Sequence, residues 1–253
     1  MTSRHLEDID KAVHLARRAA LTGRLRQPQA LTRFLYRHWW LGRPLSPDQH
    51  APGARSAART TARPSVPPQA LRPAPWRVWS PQWAEERTCT GAGLVRLYLA
   101  CAPHTTLHAV AAVQARAEQW DVPWLLSTRA LAQPVPSADA TVLYLPADAL
   151  TELHRPLTRL VEDVRPFLAT TVPLLTLRIA RGAALAQNPP DGSSFGEHRC
   201  GIIATAALEA LHVHHREAVQ RTYAAFAHEH VDPRRPYREV DAAWEWDRRA
   251  TAA

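Results

Sequence analysis

One lysine, Lys11, stands in a chain of 253 residues, and every other basic residue of the lysine and arginine pair is arginine. Chemistry that needs a lysine able to give up its proton is thereby narrowed to one position, because a guanidinium keeps its proton under ordinary conditions. A phosphate loop of the form Gly-x4-Gly-Lys-Ser/Thr is absent, and so is a Gly-x-Gly-x-x-Gly dinucleotide fingerprint. Neither a kinase nor a dehydrogenase is therefore expected. No Gly-x-Ser-x-Gly elbow is present, which removes the usual nucleophile site of serine hydrolases. Cys89, Cys101 and Cys200 are odd in number and lack paired ligand spacing, which argues against a disulfide framework and a zinc cluster. No apolar stretch reaches the roughly 18 residues of a membrane span, and none of signal-peptide length follows the first charges. A cytoplasmic protein without membrane association is the expectation. Glycine is also scarce, nine against 22 prolines, so at least one irregular stretch is anticipated.

What is present points to a folded core. A hydrophobic fraction of 46% with nine tryptophans is globular in character, and the length suits one main domain. The formal charge of +8 favours anionic partners, among them nucleic acid, acidic peptide and phosphorylated substrate. Residues 4–22 place Leu6, Ile9, Val13 and Ala16 at helical spacing before Gly23, and a second short helix carries Leu31, Phe34, Leu35 and Trp39 to about Gly42. From Arg43 to about Pro81 the composition turns to Pro, Arg, Ala and Ser, which reads as a loop or linker. The division that follows is N-terminal helices over 1–42, a Pro/Arg/Trp-rich belt over 43–88 and an α+β unit over 89–253. The belt's arginines, interleaved with Trp76, Trp79 and Trp83, have the composition of a nucleic-acid arm, but an extended belt folded back on the domain is the better reading, and no nucleic acid is expected as partner.

Residues 94–99 alternate, with Arg96 and Tyr98 on one face and Val95, Leu97 and Leu99 on the other. An arginine in mid-strand requires a partner. A helix from Thr105, a strand over Pro123 to Ser127, a strand over Thr141 to Leu145, a helix over roughly 148–169 interrupted at Pro156 and Pro166, and a strand over Leu174 to Ile179 follow. The turn-rich run 189–196 then opens into a helix carrying Ile202, Ile203, Ala206 and Leu211. Unpaired N–H groups and the positive dipole end at such a junction hold anions. Ser193 and Ser194 suit capping or anion binding, while His198 and Arg199 lie at the edge of the inward face. With Arg96, they form a candidate phosphate pocket. His212, His214 and His215 invite a metal reading, but on a helix only His212 and His215 share a face, and neither a metal nor another cofactor is expected.

These residues carry a family resemblance. The run Ala186-Gln187-Asn188-Pro189, followed by Ser194-Phe195-Gly196-Glu197-His198-Arg199-Cys200, is similar to the Ser-Phe-Gly-x-His-Arg-Cys signature of the HopA type III effector family. Val95-Arg96-Leu97-Tyr98 resembles the family's Arg-Phe-Tyr-Trp strand, Val122-Pro123-Trp124 its Val-Pro-Phe strand start, and Val142-Leu143-Tyr144-Leu145-Pro146 its next strand. Arg235-Pro236-Tyr237 resembles its closing Arg-Pro-Tyr element. The resemblance implies an α+β fold with a mixed or antiparallel sheet packed with helices. It also implies a role in maturing ribosomal peptides such as lanthipeptides and thioamitides. There a phosphotransferase-type kinase phosphorylates Ser or Thr of a precursor peptide, and the HopA-like protein eliminates the phosphate as a phosphoserine/phosphothreonine lyase. A heterodimer with that kinase is the implied assembly.

In such a site Arg96 and Arg199, with Arg181 as a third, are expected to clamp phosphate beside Ser194. His198 is expected as general acid, with His198 or Tyr98 the nearest candidates for base. Lyase-type members resemble one another in a lysine after the Val-Pro-Phe element, where this chain has Ser127. The alternative is a non-catalytic adaptor of the same fold that binds the kinase or the leader peptide.

Overall fold

A computed structural model of the chain describes residues 4–23, 25–41, 76–83, 93–101, 103–128, 138–139, 141–191 and 193–240. The sheet has six strands: β1 (Trp76–Trp79), β2 (Leu94–Leu99), β3 (Leu125–Thr128), β4 (Thr141–Pro146), β5 (Leu177–Ala180) and β6 (Ala183–Gln187). Their order is β1-β3-β4-β2-β6-β5, and each neighbouring pair is antiparallel, so the fold is α+β. Arg96 stands opposite Tyr144 and Ala186, and Tyr98 opposite Val142 and Ala184. Directly opposed residues share a face, so the arginine and the tyrosine look out over two alanines that leave room above them. The reverse face carries Leu97, Leu143, Leu185 and Leu126, each fully buried.

Among the described residues six α-helices accompany the sheet. α1 (Arg4–Leu21) buries Ile9, Ala12, Val13, Ala16 and Ala20 and ends at Gly23, whose φ of +81° suits a residue without a Cβ. α2 (Pro28–Leu35) starts on a proline, where a missing N–H costs nothing, and runs directly into a π-helical turn over Tyr36–Trp40, closed by Leu41 N donating to Tyr36 O at 3.0 Å. α3 (Thr106–Ala117) and α4 (His154–Val164) pack on each other, tied by Arg116 and Asp163 at 2.6 Å, and supply apolar stripes such as Val110 and Val113 with Leu157 and Leu160. α5 (Phe195–Glu209) is packed by α1, α2, the π turn and α6 (His215–His228). It is buried on most sides, as expected of a helix that reads as apolar all round. Its start lies on the Arg96 face of the sheet, because Arg96 reaches Ser193 there.

Several expectations are corrected. Trp76–Trp79 falls in the stretch read as linker but forms edge strand β1 against β3. The remainder of that belt, 43–75 and 84–88, lies outside the described residues. Pro156 does not interrupt α4, since it occupies the first turn, where no intrahelical N–H is required; Pro166 does end it, in a 3-10 turn over Arg165–Phe167. The strand read over 174–179 is displaced to Leu177–Ala180 and is followed by β6, which alanine-rich composition concealed. α5 ends at Glu209, so His212 and His215 do not share a helix; His215 opens α6 and meets Asp10 of α1 at 2.7 Å.

Candidate functional site at the start of the central helix

Ser194 caps α5: its Oγ accepts from the Glu197 N–H at 3.2 Å and donates to the Glu197 carboxylate at 2.8 Å. One residue earlier, Ser193 donates through N–H and Oγ to Asp191 at 3.0 and 2.7 Å. Burial works against the Asp191 carboxylate, but those two bonds and nearby His198 hold its pKa below the ordinary carboxylate value. The turn is thus organised by its own side chains before any ligand is considered.

Behind it stand two buried guanidinium groups, Arg96 with 6% and Arg199 with 2% of its surface exposed. Arg96 donates through Nε to Asn188 Oδ1 and through Nη2 to Ser193 O at 3.3 Å, and it lies 5.4 Å above the Tyr144 ring. Arg199 donates through Nε to Pro236 O at 2.8 Å and lies 4.8 Å above the Phe195 ring. No carboxylate among the described residues stands within ion-pairing distance of Arg199. Burial lowers its pKa to about 10, against the opposing pull of Glu239 and Asp191, so it remains a cation at neutral pH.

Arg199 Nη1 and His198 Nδ1 are 2.7 Å apart. A guanidinium only donates, so Nδ1 accepts and the neutral imidazole carries its proton on Nε2. Burial first, and Arg199 second, lower the His198 pKa, with Asp191 and Glu229 pulling the other way. His198 also lines an open trench between α5 and α6. It therefore presents an N–H donor beside a buried cation.

Tyr98 lies against Arg96 on β2. Burial pushes its phenol up to about 12, while Arg96, through charge and hydrogen bonding, acts to lower it. The Tyr36 hydroxyl of the π turn donates to Asp139 at 2.5 Å, and its pKa is raised by burial and by the Asp139 charge. Gly196 makes this close approach possible: a Cβ there would come within 2.6 Å of Trp40 and 2.7 Å of Tyr36. Cys200 is fully buried and its thiol is pushed well above its ordinary value, so it is no nucleophile.

A C-terminal strap holds the junction from the other side. Gln187 N donates to Tyr237 O at 2.7 Å, Glu239 N to Gln187 Oε1 at 3.0 Å, and Val231 bridges Glu239. Arg96, Tyr98, Ser194, His198 and Arg199 are thus brought together. Arg181 is not: it sits exposed in the turn between β5 and β6, at the opposite end of β6 from Asn188. Tyr36, Asp139 and Asn188 were missed as members. Only Asn188 had a sequence signal, its place beside the turn-rich loop.

Among the described residues no group of three or more His, Cys, Asp or Glu side chains is placed to hold a metal ion, and no helix is long and apolar enough to cross a membrane. Fold and junction together describe an α+β protein in which a strand arginine bonds the residue before a capped helix start and a second buried arginine lies in that helix's first turns. A profile of the HopA1 effector protein family matches residues 71–238, and the chain belongs to that family. Among solved structures it is similar to the effector protein from Pseudomonas syringae pv. tomato strain DC3000, at 16% identity over 58% of this chain and 56% of that one, with a TM-score of 0.47. It is also similar to the effector protein from Pseudomonas syringae pv. syringae strain 61, at 17% identity over 61% and 60%, with a TM-score of 0.45. The chain spans somewhat over half the length of those two proteins. No curated protein matches it.

Proposed function

We propose that the protein binds phosphorylated Ser or Thr of a precursor peptide and eliminates phosphate, leaving dehydroalanine or dehydrobutyrine, with a phosphotransferase-type kinase as the partner that supplies the phosphopeptide. The observations that support this reading are that Arg96 of β2 donates to Ser193 O just before α5 and that Arg199 bonds His198 in the first turns of the same helix. In the reaction a base removes the Cα proton, the electron pair forms the Cα=Cβ bond, and the Cβ–O bond breaks as phosphate departs with its electrons. The two guanidinium groups offset the charge that develops on phosphate, and the His198 Nε2–H donates to the leaving oxygen. A bound dianion favours the imidazolium, so substrate binding raises the fraction of His198 that carries a second proton to donate. Tyr98, whose phenol burial pushes up to about 12 while Arg96 pulls it down, is the candidate base on the sheet face.

A specific observation favours a second reading, an adaptor without chemistry. Arg96 and Arg199 each donate to a backbone carbonyl and are almost fully covered, and Lys11 is exposed on α1 rather than in the junction. Mass spectrometry separates the two. Incubation of the kinase-phosphorylated precursor with wild-type protein is expected to release phosphoric acid from the peptide, and Arg96→Ala is expected to slow this by roughly 10²-fold or more. Complete retention of phosphate with wild type, together with capture of the kinase or leader peptide, selects the adaptor.

A further inference from the structure

The trench between α5 and α6 begins at the imidazole of His198 and has a volume of about 820 Å³. Its apolar lining is buried Ile202 of α5 with half-buried Ala225 and exposed Ala224 of α6. Its lining carries four carboxylates, Asp191, Glu197, Glu209 and Glu229, the last 3.7 Å from His228, against one guanidinium, Arg221, which is paired with Glu217 at 2.6 Å. A protein of formal charge +8 therefore holds a locally negative channel beside its buried arginine pair. A phosphate lying in the trench would face carboxylates, whereas the side chains of lysine or arginine would lay their stems on Ile202 and the alanines with their charged ends at the rim.

We propose that this trench seats the residues flanking the phosphorylated side chain and selects peptides whose flank is basic. The inference rests on the phosphate reading, and it adds a charge rule to the substrate: anionic at the arginine pair, cationic along the helices. Opposite signs at adjoining sites fix which part of the peptide goes where, and an acidic flank is repelled.

The test uses peptides of one sequence carrying either Arg or Glu residues beside the target threonine, each with and without phosphate. Their binding to the full chain is followed by fluorescence anisotropy. Glu209→Lys serves as the variant, because the Glu209 side chain is exposed and lies outside the arginine junction; circular dichroism verifies its fold. The Arg-flanked phosphopeptide is expected to bind about tenfold more tightly than the Glu-flanked one, with the difference shrinking as salt is raised and disappearing in the variant. Equal binding of both phosphopeptides, or a flank preference that survives in the variant, overturns the trench proposal while leaving phosphate recognition standing. Binding of the Arg-flanked peptide that is indifferent to phosphate but lost in the variant supports the trench and removes the phosphate reading. No binding of any peptide overturns both.

Discussion

At the residue scale, each member of the junction is constrained by a neighbour that can be removed. Gly196 admits the Trp40 and Tyr36 rings at distances no Cβ tolerates. Gly196→Ala is therefore expected to push the π turn outward and to cost about 1–3 kcal/mol, read as a lowered unfolding midpoint in urea. Ser127 makes a sharper case. It lies in one cross-strand row with Val142 and Tyr98, on the face that carries Arg96. A lysine at that place would project toward the same space, with strands only about 4.8 Å apart. Under the lyase reading, Ser127→Lys is expected to raise the elimination rate with the phosphopeptide, measured by product formation, and an unchanged rate would remove Ser127 from the account of the absent base. His198 belongs here as well, because the bond from Arg199 settles which nitrogen bears its proton. Arg199→Lys cannot serve both Pro236 O and His198 with one ammonium in the geometry of a planar fork, so it is not a conservative change.

At the element scale, α5 is positioned by its two ends and by its company. The cap from Ser194 is a local device, and Ser194→Ala is expected to cost about 1 kcal/mol, seen as a fall in thermal midpoint without loss of fold. α6 ends differently. His230 has a φ of +56°, and Val231 N bonds Phe226 O at 2.9 Å while His230 N bonds Ala227 O at 3.0 Å, the pattern usually completed by glycine. His230→Gly is accordingly expected to raise stability by up to about 1 kcal/mol.

These elements also explain what was legible beforehand. The alternation of Arg96 and Tyr98 with Val95, Leu97 and Leu99 gave the correct faces of β2, because period two survives burial on both sides when one face carries a charge. The helix after Ser194 was legible through its turn-rich entry. β6 was not, since Ala183-Ala184-Leu185-Ala186 has no strand signature and owes its state to pairing with β2 and β5. Asp139 was hidden for a related reason. Its bond to Tyr36 spans 103 residues of sequence, and no local pattern announces a contact made only when the N-terminal helices dock on α5.

At the scale of the whole molecule, two half-buried imidazoles tie stability to pH. His5, edge-on to Tyr237 of the strap, has its pKa lowered from 6.5 to about 4 by burial first and Arg4 second, and His198 is lowered as well. A depressed folded value means that the unfolded chain binds more protons between the two values. The contribution from His5 is therefore complete above the unfolded value of 6.5 and is lost as pH falls from there toward about 4. Thermal midpoints are expected to decline through that window, and His5→Phe, which keeps the ring against Tyr237 but does not titrate, is expected to flatten the decline. The same imidazole logic reaches the site. Protonated His198 is disfavoured in the free protein by burial first and by Arg199 second, and under the phosphate reading a dianion at the start of α5 opposes both. Nuclear magnetic resonance titration of the His198 ring, with a phosphothreonine peptide and with its unphosphorylated twin, reads this directly. The His198 pKa is expected to rise with the phosphopeptide alone; a value that stays where it was with both peptides, despite measured binding, rules out phosphate recognition at this junction.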